Sequence, residues 1–199
     1  MKSAYSSHIQ RGQVEQLRFS GRLCSLDSDL QTEPLNLTFQ TGAIYNLSGS
    51  SATATALLKS LAAISEESAA NVWLNEVNLM DMTFEELLPY RLNMGYSFSF
   101  GGLLNNRSIQ DNLGLPFAYH GAFDFGSPHA YLEELLAGSG IKKYAPNRPA
   151  NVPGFVRKIS CVVRALATRP EVLLLDEPFS SMEVDQRDYL VGQVQSLIS

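Results

Sequence analysis

Short apolar runs along the chain alternate with segments of helical periodicity. Apolar runs of four or five residues bounded by turn residues are typical of buried strands, and apolar residues spaced three and four apart favour helices. The strands predicted in this way are Leu35–Phe39, Ala43–Leu47, Met94–Phe98 and Val172–Leu175. Helices are predicted near Thr55–Ile64 and over Glu183–Ile198. This alternation predicts an α/β fold with a mixed, partly parallel sheet.

The composition changes between about residues 101 and 149. Gly, Pro and Asn become frequent there, around two further helix candidates, Ser108–Leu115 and Pro128–Leu136. We interpret 101–149 as a small helical subdomain within a single domain that spans residues 1–199, a length that suits one domain.

Composition narrows the class of partner. The net charge of −5 argues against nucleic acid, whose binding depends on clustered Lys and Arg. Cys24 and Cys161 are too far apart for metal-ligand spacing and too few for a disulfide framework, which is typical of a reducing cytoplasm. The longest apolar runs are much shorter than a bilayer crossing, so we expect no direct membrane insertion and membrane contact only through a partner.

Residues 42–64, GAIYNLSGSSATATALLKSLAAI, have the layout of a phosphate-binding loop: a strand, a tight polar turn and a helix. Such a loop uses glycines, a lysine for the β and γ phosphates, and a hydroxyl for Mg²⁺. Counting from Gly49, Ala52 and Ala54 stand where glycines are expected. Thr55 stands at the lysine position and Ala56 at the position of the Mg²⁺-holding hydroxyl.

Two interpretations of this turn remain open. The helix N-terminus and the hydroxyls of Ser50, Ser51, Thr53 and Thr55 could hold an anion. Taken alone, however, a Ser- and Thr-rich turn before a helix is usually an N-cap. Lys59 lies one turn beyond Thr55 on the same face and leans back toward the helix start, although a surface lysine is the plainer interpretation.

A second motif is ALATRPEVLLLDEP, residues 165–178. A helix end and a Pro-marked turn lead into an apolar strand that finishes in Asp176 and Glu177. Two carboxylates at the C-terminal end of a strand suit a Mg²⁺ ligand, Asp176, beside a group that orients water, Glu177. By itself the motif is equally typical of a strand that enters a turn.

The longer run RALATRPEVLLLDEPFSSME closely resembles the Walker B strand and D-loop of ABC transporter ATPases, the ATP-binding cassettes. The resemblance extends from about Val14 onward and implies a P-loop NTPase-like cassette with ATP and Mg²⁺ as ligands. MGYSFSFGGLLNNRSIQDNLGLPF, residues 94–117, resembles the Q-loop region, with Ser99 where the family has glutamine. Together with DEPF, it is most similar to Mla-type lipid-trafficking cassettes.

The resemblance places NVPGFVRKISCVVRAL, residues 151–166, at the family's LSGGQ signature. The five signature positions are then Val152, Pro153, Gly154, Phe155 and Val156. Pro153 brings neither hydroxyl nor backbone N–H, and Phe155 puts a ring where a second glycine lets backbone approach the γ-phosphate. Without the family, VPGF is simply a turn.

After the strand, Ser180, Ser181, Met182 and Glu183 stand in for the D-loop's Ser-Ala-Leu-Asp. In the family a further strand and a switch histidine follow the last helix; we expect both to be missing, since none of His8, His120 and His129 is placed to substitute. We also find no aromatic residue identifiable as the adenine-stacking one. The absent strand would pair beside the Walker A strand, so we expect a partner or a second copy to cover that edge.

The resemblance implies three possible functions. The first is a degenerate cassette subunit, a pseudo-ATPase with weak or no nucleotide binding and a structural or regulatory role. It would dock on membrane permease subunits or a sister cassette through residues 99–116, as a homo- or heterodimer in the cytoplasm, peripheral at the inner membrane. The alternatives are an active transporter ATPase, which relies on Asp176 and Glu177, and a soluble non-transport regulator that retains the fold.

Overall fold

The first half of the chain forms an antiparallel sheet of four strands, in the order β4 (Leu35–Gln40), β1 (Gln16–Arg22), β5 (Ala69–Leu74) and β6 (Val77–Asn78). The computed structural model describes residues 14–25, 28–64, 69–120, 127–180 and 182–198. Its strands are β1 Gln16–Arg22, β2 Cys24–Ser25, β3 Ser28–Gln31, β4 Leu35–Gln40, β5 Ala69–Leu74, β6 Val77–Asn78, β7 Met94–Ser97 and β8 Val172–Leu175. Its α-helices are α1 Ser51–Leu61, α2 Phe84–Leu92, α3 Ile109–His120, α4 Pro128–Gly138, α5 Gly154–Leu166 and α6 Val184–Ile198. Short 3₁₀ helices cover Leu79–Asp81, Lys142–Tyr144 and Pro149–Asn151.

The described residues form two compact units, one up to Met94 and the other from Gly95 onward. In the first, the central strand β1 pairs with β4 and with β5. Phe19, opposite Leu37 on one side and Val72 on the other, is only 1 % exposed. Helix α1 contacts β1 and β5 and buries Leu57 and other apolar residues, because its apolar positions recur at helical spacing.

The second unit contains the paired strands β7, except for its first residue, and β8, together with the helices α3 to α6. An apolar cluster in this unit draws on all four helices and includes Ile109, Leu136, Ile159 and Leu190. Strand β7 approaches α5 closely at Gly95, where an added Cβ would lie 2.3 Å from the Ala165 carbonyl oxygen. Glycine at this position therefore permits the contact.

The strand predicted at Ala43–Leu47 is wrong, since these residues adopt no regular structure. Ile44 is 95 % exposed, and Tyr45 folds back onto β4. The Tyr45 hydroxyl accepts a hydrogen bond from the Gln40 N–H (2.9 Å), and its ring meets Phe39 edge-on at 5.0 Å. An apolar run becomes a strand only where a neighbouring strand takes up its backbone hydrogen bonds.

The α/β class and the other predicted elements are present, with shifted ends. Strand β8 spans Val172–Leu175 as predicted, whereas α1 begins at Ser51, four residues before the predicted Thr55. Helix α3 continues through Pro116 to His120. The single domain 1–199 with a helical subdomain at 101–149 stays a prediction. No helix within the described ranges is both long and apolar enough to cross a membrane.

Candidate functional site

The residues counted as the phosphate-binding loop form the start of α1. Ser50 is the N-cap, and its Oγ accepts a hydrogen bond from the Thr53 N–H at 3.1 Å. The Ser50 carbonyl accepts from the Ala54 N–H at 3.0 Å, and the Ser50 and Thr53 hydroxyls lie 2.7 Å apart. Of the two interpretations left open above, this geometry is that of an N-cap. Gly49, from which the positions were counted, directly precedes the N-cap.

This arrangement does not fit a nucleotide phosphate in the way a glycine-rich loop does. A phosphate-binding loop turns several backbone N–H groups toward the phosphate, whereas the N–H groups of Thr53 and Ala54 are bonded within the helix. Ala52 and Ala54 promote this outcome, because alanine favours a helix by about 1 kcal/mol over glycine. Ala56 is buried and offers only a methyl group, so it cannot hold Mg²⁺.

Lys59 does not restore the missing charge. It lies in the last turn of α1, about 12 Å further along the axis than Ser51 at about 1.5 Å per residue. A helical side chain leans back over roughly one turn, which brings Lys59 toward Thr55 and leaves the helix start out of reach.

The two carboxylates follow β8 as predicted, in different environments. Asp176 is 2 % exposed, and its N–H donates to the Ser97 carbonyl at 2.9 Å, which ties the end of β8 to β7. The Tyr96 hydroxyl donates to Asp176 Oδ2 in a long hydrogen bond of 3.4 Å. Burial, and then the charge and hydrogen bond of Asp176, raise the pKa of Tyr96 above its ordinary value. The sequence analysis did not single out Tyr96. The signal present was the aromatic residue at every second position, Tyr96, Phe98 and Phe100.

Glu177 is exposed and has a left-handed backbone, with φ of 47°. A residue with a Cβ pays about 1 to 3 kcal/mol for such a conformation, which persists where the surroundings hold it. The Glu177 carbonyl accepts from the Ser180 N–H at 3.1 Å and from Lys158 Nζ at 3.3 Å. These bonds fix the backbone that carries the candidate catalytic carboxylate.

The signature positions form the start of α5. Pro153 is the N-cap and makes no side-chain capping bond, and Gly154 is the first helical residue. Phe155 is half-buried and packs against the apolar cluster, while Val152 and Val156 are buried. Val152, Phe155 and Val156 therefore support the core, whereas Pro153 and Gly154 are exposed.

Within the second unit, a cavity of about 520 Å³ brings several predicted positions together. Its lining includes Phe100, Asn105, Gly154, Arg157, Lys158 and Ser180. This cavity is thus lined by the residues that follow Ser99, by the start of α5 and by the D-loop position Ser180. Arg157 and Lys158 give it two basic side chains. Sequence reasoning missed Lys158, which also bonds the Ser99 carbonyl.

Some of the predicted positions lie outside the described residues, namely Ser181 of the D-loop and His8. Met182 is 4 % exposed and belongs to the apolar cluster, whereas Glu183 and His129 are exposed. The side chain of His120 is likewise outside the described part of the structure.

Comparison with known proteins defines the class. The family model for ABC transporters matches residues 32–180, about three quarters of the chain. The chain therefore belongs to the ABC transporter family, and the match covers the α1 start, the Q-loop region, the signature positions and β8.

Relatives include the methionine import ATP-binding protein MetN 2 of Pseudomonas aeruginosa (strain UCBPP-PA14), 30% identical over 152 residues, which make up 76% of this chain and 45% of that protein. MetN of Xylella fastidiosa (strain Temecula1 / ATCC 700964) matches at the same identity and coverage. The match thus spans less than half the length of these relatives. The resemblance to Mla-type cassettes stays a prediction.

Among solved structures, the chain is similar to the dimeric post-hydrolysis state of the ATP-binding cassette MJ0796 bound to ADP and Pi, with a TM-score of 0.78. The alignment covers 92% of this chain and 83% of that one at 17% identity. It establishes the cassette fold.

Proposed function

We propose that the chain is a degenerate ATP-binding cassette subunit of an ABC transporter. It is a pseudo-ATPase that binds nucleotide weakly or not at all and has a structural or regulatory role. The observation that carries the proposal is the first turn of α1, where Ser50 caps the helix and the N–H groups of Thr53 and Ala54 bond within it. No lysine or Mg²⁺-holding hydroxyl stands at positions 55 and 56.

The expected loss of affinity follows from the missing lysine. A charge-assisted hydrogen bond contributes about 1.5 to 3 kcal/mol, so this change alone weakens nucleotide binding by roughly one to two decades. In addition, the N–H groups of Thr53 and Ala54 bond within the helix and are therefore not available to donate to a phosphate. Hydrolysis suffers more than binding, because phosphoryl transfer depends on charges positioned for the transition state.

Docking on partner subunits would explain why the chain retains the cassette fold without efficient nucleotide binding. We propose docking on membrane permease subunits or a sister cassette through residues 99–116, at the cytoplasmic face of the inner membrane. Cassettes of this family pair head to tail, and this chain is altered on both sides of such a pair. The methionine import relatives support a transport context, and the Mla-type resemblance supports lipid cargo.

Calorimetric titration of Mg-ATP into the purified chain, up to millimolar nucleotide, tests the proposal. We expect no saturation, or saturation only in the millimolar range, and no change with Lys59→Ala. A triple variant with Ala54→Gly, Thr55→Lys and Ala56→Ser restores the family's residues and should bind more tightly. Micromolar binding by the unmodified chain would overturn the proposal.

A second candidate is an active ATPase. The exposed Glu177 carboxylate directly after the buried Asp176 favours it, because these are the positions that the family uses. Phosphate release from the purified chain, alone or in complex, then stops in Glu177→Ala and continues in the control Glu183→Ala. Release that is equal in both variants removes this candidate.

A further inference from the structure

Helix α5 carries three hydrogen-bond donors at intervals of three residues on one face. Lys158 Nζ donates to the Ser99 carbonyl at 2.5 Å, and the Cys161 thiol donates to the Gly101 carbonyl at 2.9 Å. Arg164 donates to the carbonyls of Gly101 (3.2 Å) and Gly102 (2.8 Å). We call Lys158, Cys161 and Arg164 the donor row.

The segment that the donor row holds has a backbone only glycine adopts easily. Gly101 and Gly102 have φ of 92° and 63°. The Gly101 N–H donates to the Phe98 carbonyl at 3.0 Å, which closes the turn. A Cβ added at Gly101 would lie 3.3 Å from Cys161 Sγ, so the turn sits directly against α5.

The same turn presents an aromatic side chain to solvent. Phe100 is 77 % exposed, and its ring lies 5.2 Å from that of Phe98, which lies 4.5 Å from that of Tyr96. Lys158 also reaches the Glu177 carbonyl at 3.3 Å. One lysine therefore joins α5, the segment after β7 and the end of β8.

We propose that the donor row is a staple that fixes residues 99–102 on α5 without bound nucleotide, with Lys158 as its main positioning residue. The inference rests on the proposed function, because a docking segment that does not respond to nucleotide needs another source of rigidity. Charge-assisted bonds from lysine and arginine to backbone carbonyls supply it.

Hydrogen exchange of the full chain without nucleotide tests the staple, with the Gly101 amide as reporter. We expect slow exchange in the wild type and about tenfold or faster exchange in Lys158→Met, equivalent to about 1.4 kcal/mol. Lys158→Arg should retain much of the protection. The matched control is Arg157→Met on the same helix, because Arg157 donates to the Pro149 and Val152 carbonyls instead.

Exchange in α4 serves as the internal reference, since a merely structural loss would accelerate both regions together. Free exchange at Gly101 in the wild type, or exchange unchanged in Lys158→Met, overturns the staple. If Lys158→Met does not fold, the wild-type protection and its retention in Lys158→Arg decide the question. A separate measurement adds millimolar Mg-ATP. If the protection of the Gly101 amide changes with nucleotide, the proposed function is contradicted. The staple itself is tested only by the measurements without nucleotide.

Discussion

Gly140 follows the end of α4 in a left-handed conformation, with φ of 67°. This is the usual place for a glycine that ends a helix. A Cβ there would lie 1.7 Å from the Tyr189 hydroxyl oxygen and 3.1 Å from the ring carbon that carries it. The hydroxyl donates to the Ser139 carbonyl at 3.2 Å, so the glycine admits a contact between α6 and the end of α4. We predict that Gly140→Ala destabilises the protein.

The magnitude has two parts. A left-handed conformation costs a residue with a Cβ about 1 to 2 kcal/mol. Tyr189 is 40 % exposed, so its ring can swing toward solvent, and the clash then becomes the loss of one hydrogen bond, about 0.5 to 1.5 kcal/mol. We expect a total loss of about 1.5 to 3.5 kcal/mol in the free energy of unfolding.

Urea unfolding followed by circular dichroism measures this loss. The matched control is Gly192→Ala within α6, where an added Cβ meets nothing within 4 Å and should stabilise the helix by about 0.5 to 1 kcal/mol. In a Tyr189→Phe background the hydroxyl is gone and only the ring-carbon contact at 3.1 Å remains, so Gly140→Ala should cost less, mainly its backbone part. A cost below about 0.5 kcal/mol, or an equal cost in both backgrounds, would refute the reasoning.

Two further predictions concern the second unit. Asn112 is fully buried and bonds the N–H and carbonyl of Leu104 and the carbonyl of Ser108. Asn112→Ala should therefore lower the free energy of unfolding by about 2 to 4 kcal/mol. A loss below about 1 kcal/mol in urea unfolding would contradict this. Burial raises the pKa of Cys161 above its ordinary value of 9.0, so the unfolded thiol ionises first and stability should fall as the pH rises above about 9. In thermal melts, the melting temperature of Cys161→Ala should fall less steeply with rising pH than that of the wild type. If the two melting temperatures fall in parallel, ionisation of Cys161 is not the cause.

Local sequence pattern was sufficient where local physics decides the outcome. The run at 172–175 lies between Pro170 and Asp176, and it forms β8 with the predicted bounds. Apolar residues at helical spacing likewise located α1, α3, α4 and α6, with errors only at the ends. The candidate carboxylates were found because they directly follow a well-defined strand.

Local pattern failed where a distant partner was needed. Ala43–Leu47 is as apolar as a strand, yet it pairs with no strand among the described residues, and Ile44 faces solvent. At Ser50 the sequence left a phosphate loop and an N-cap both open. The structure has the N-cap, which the helix-favouring Ala52 and Ala54 support.

The sequence by itself determined the family, part of the secondary structure and the absence of the phosphate-binding lysine, because neighbouring residues decide each of these. It did not predict the central strand β1, its neighbour β5 or helix α2. Only the tertiary structure showed what Lys158, Cys161 and Arg164 do. Their even spacing is visible in the chain, but their acceptors lie 59 to 63 residues earlier. A backbone carbonyl carries no side-chain signal, so its donor becomes evident only when folding brings the two segments together.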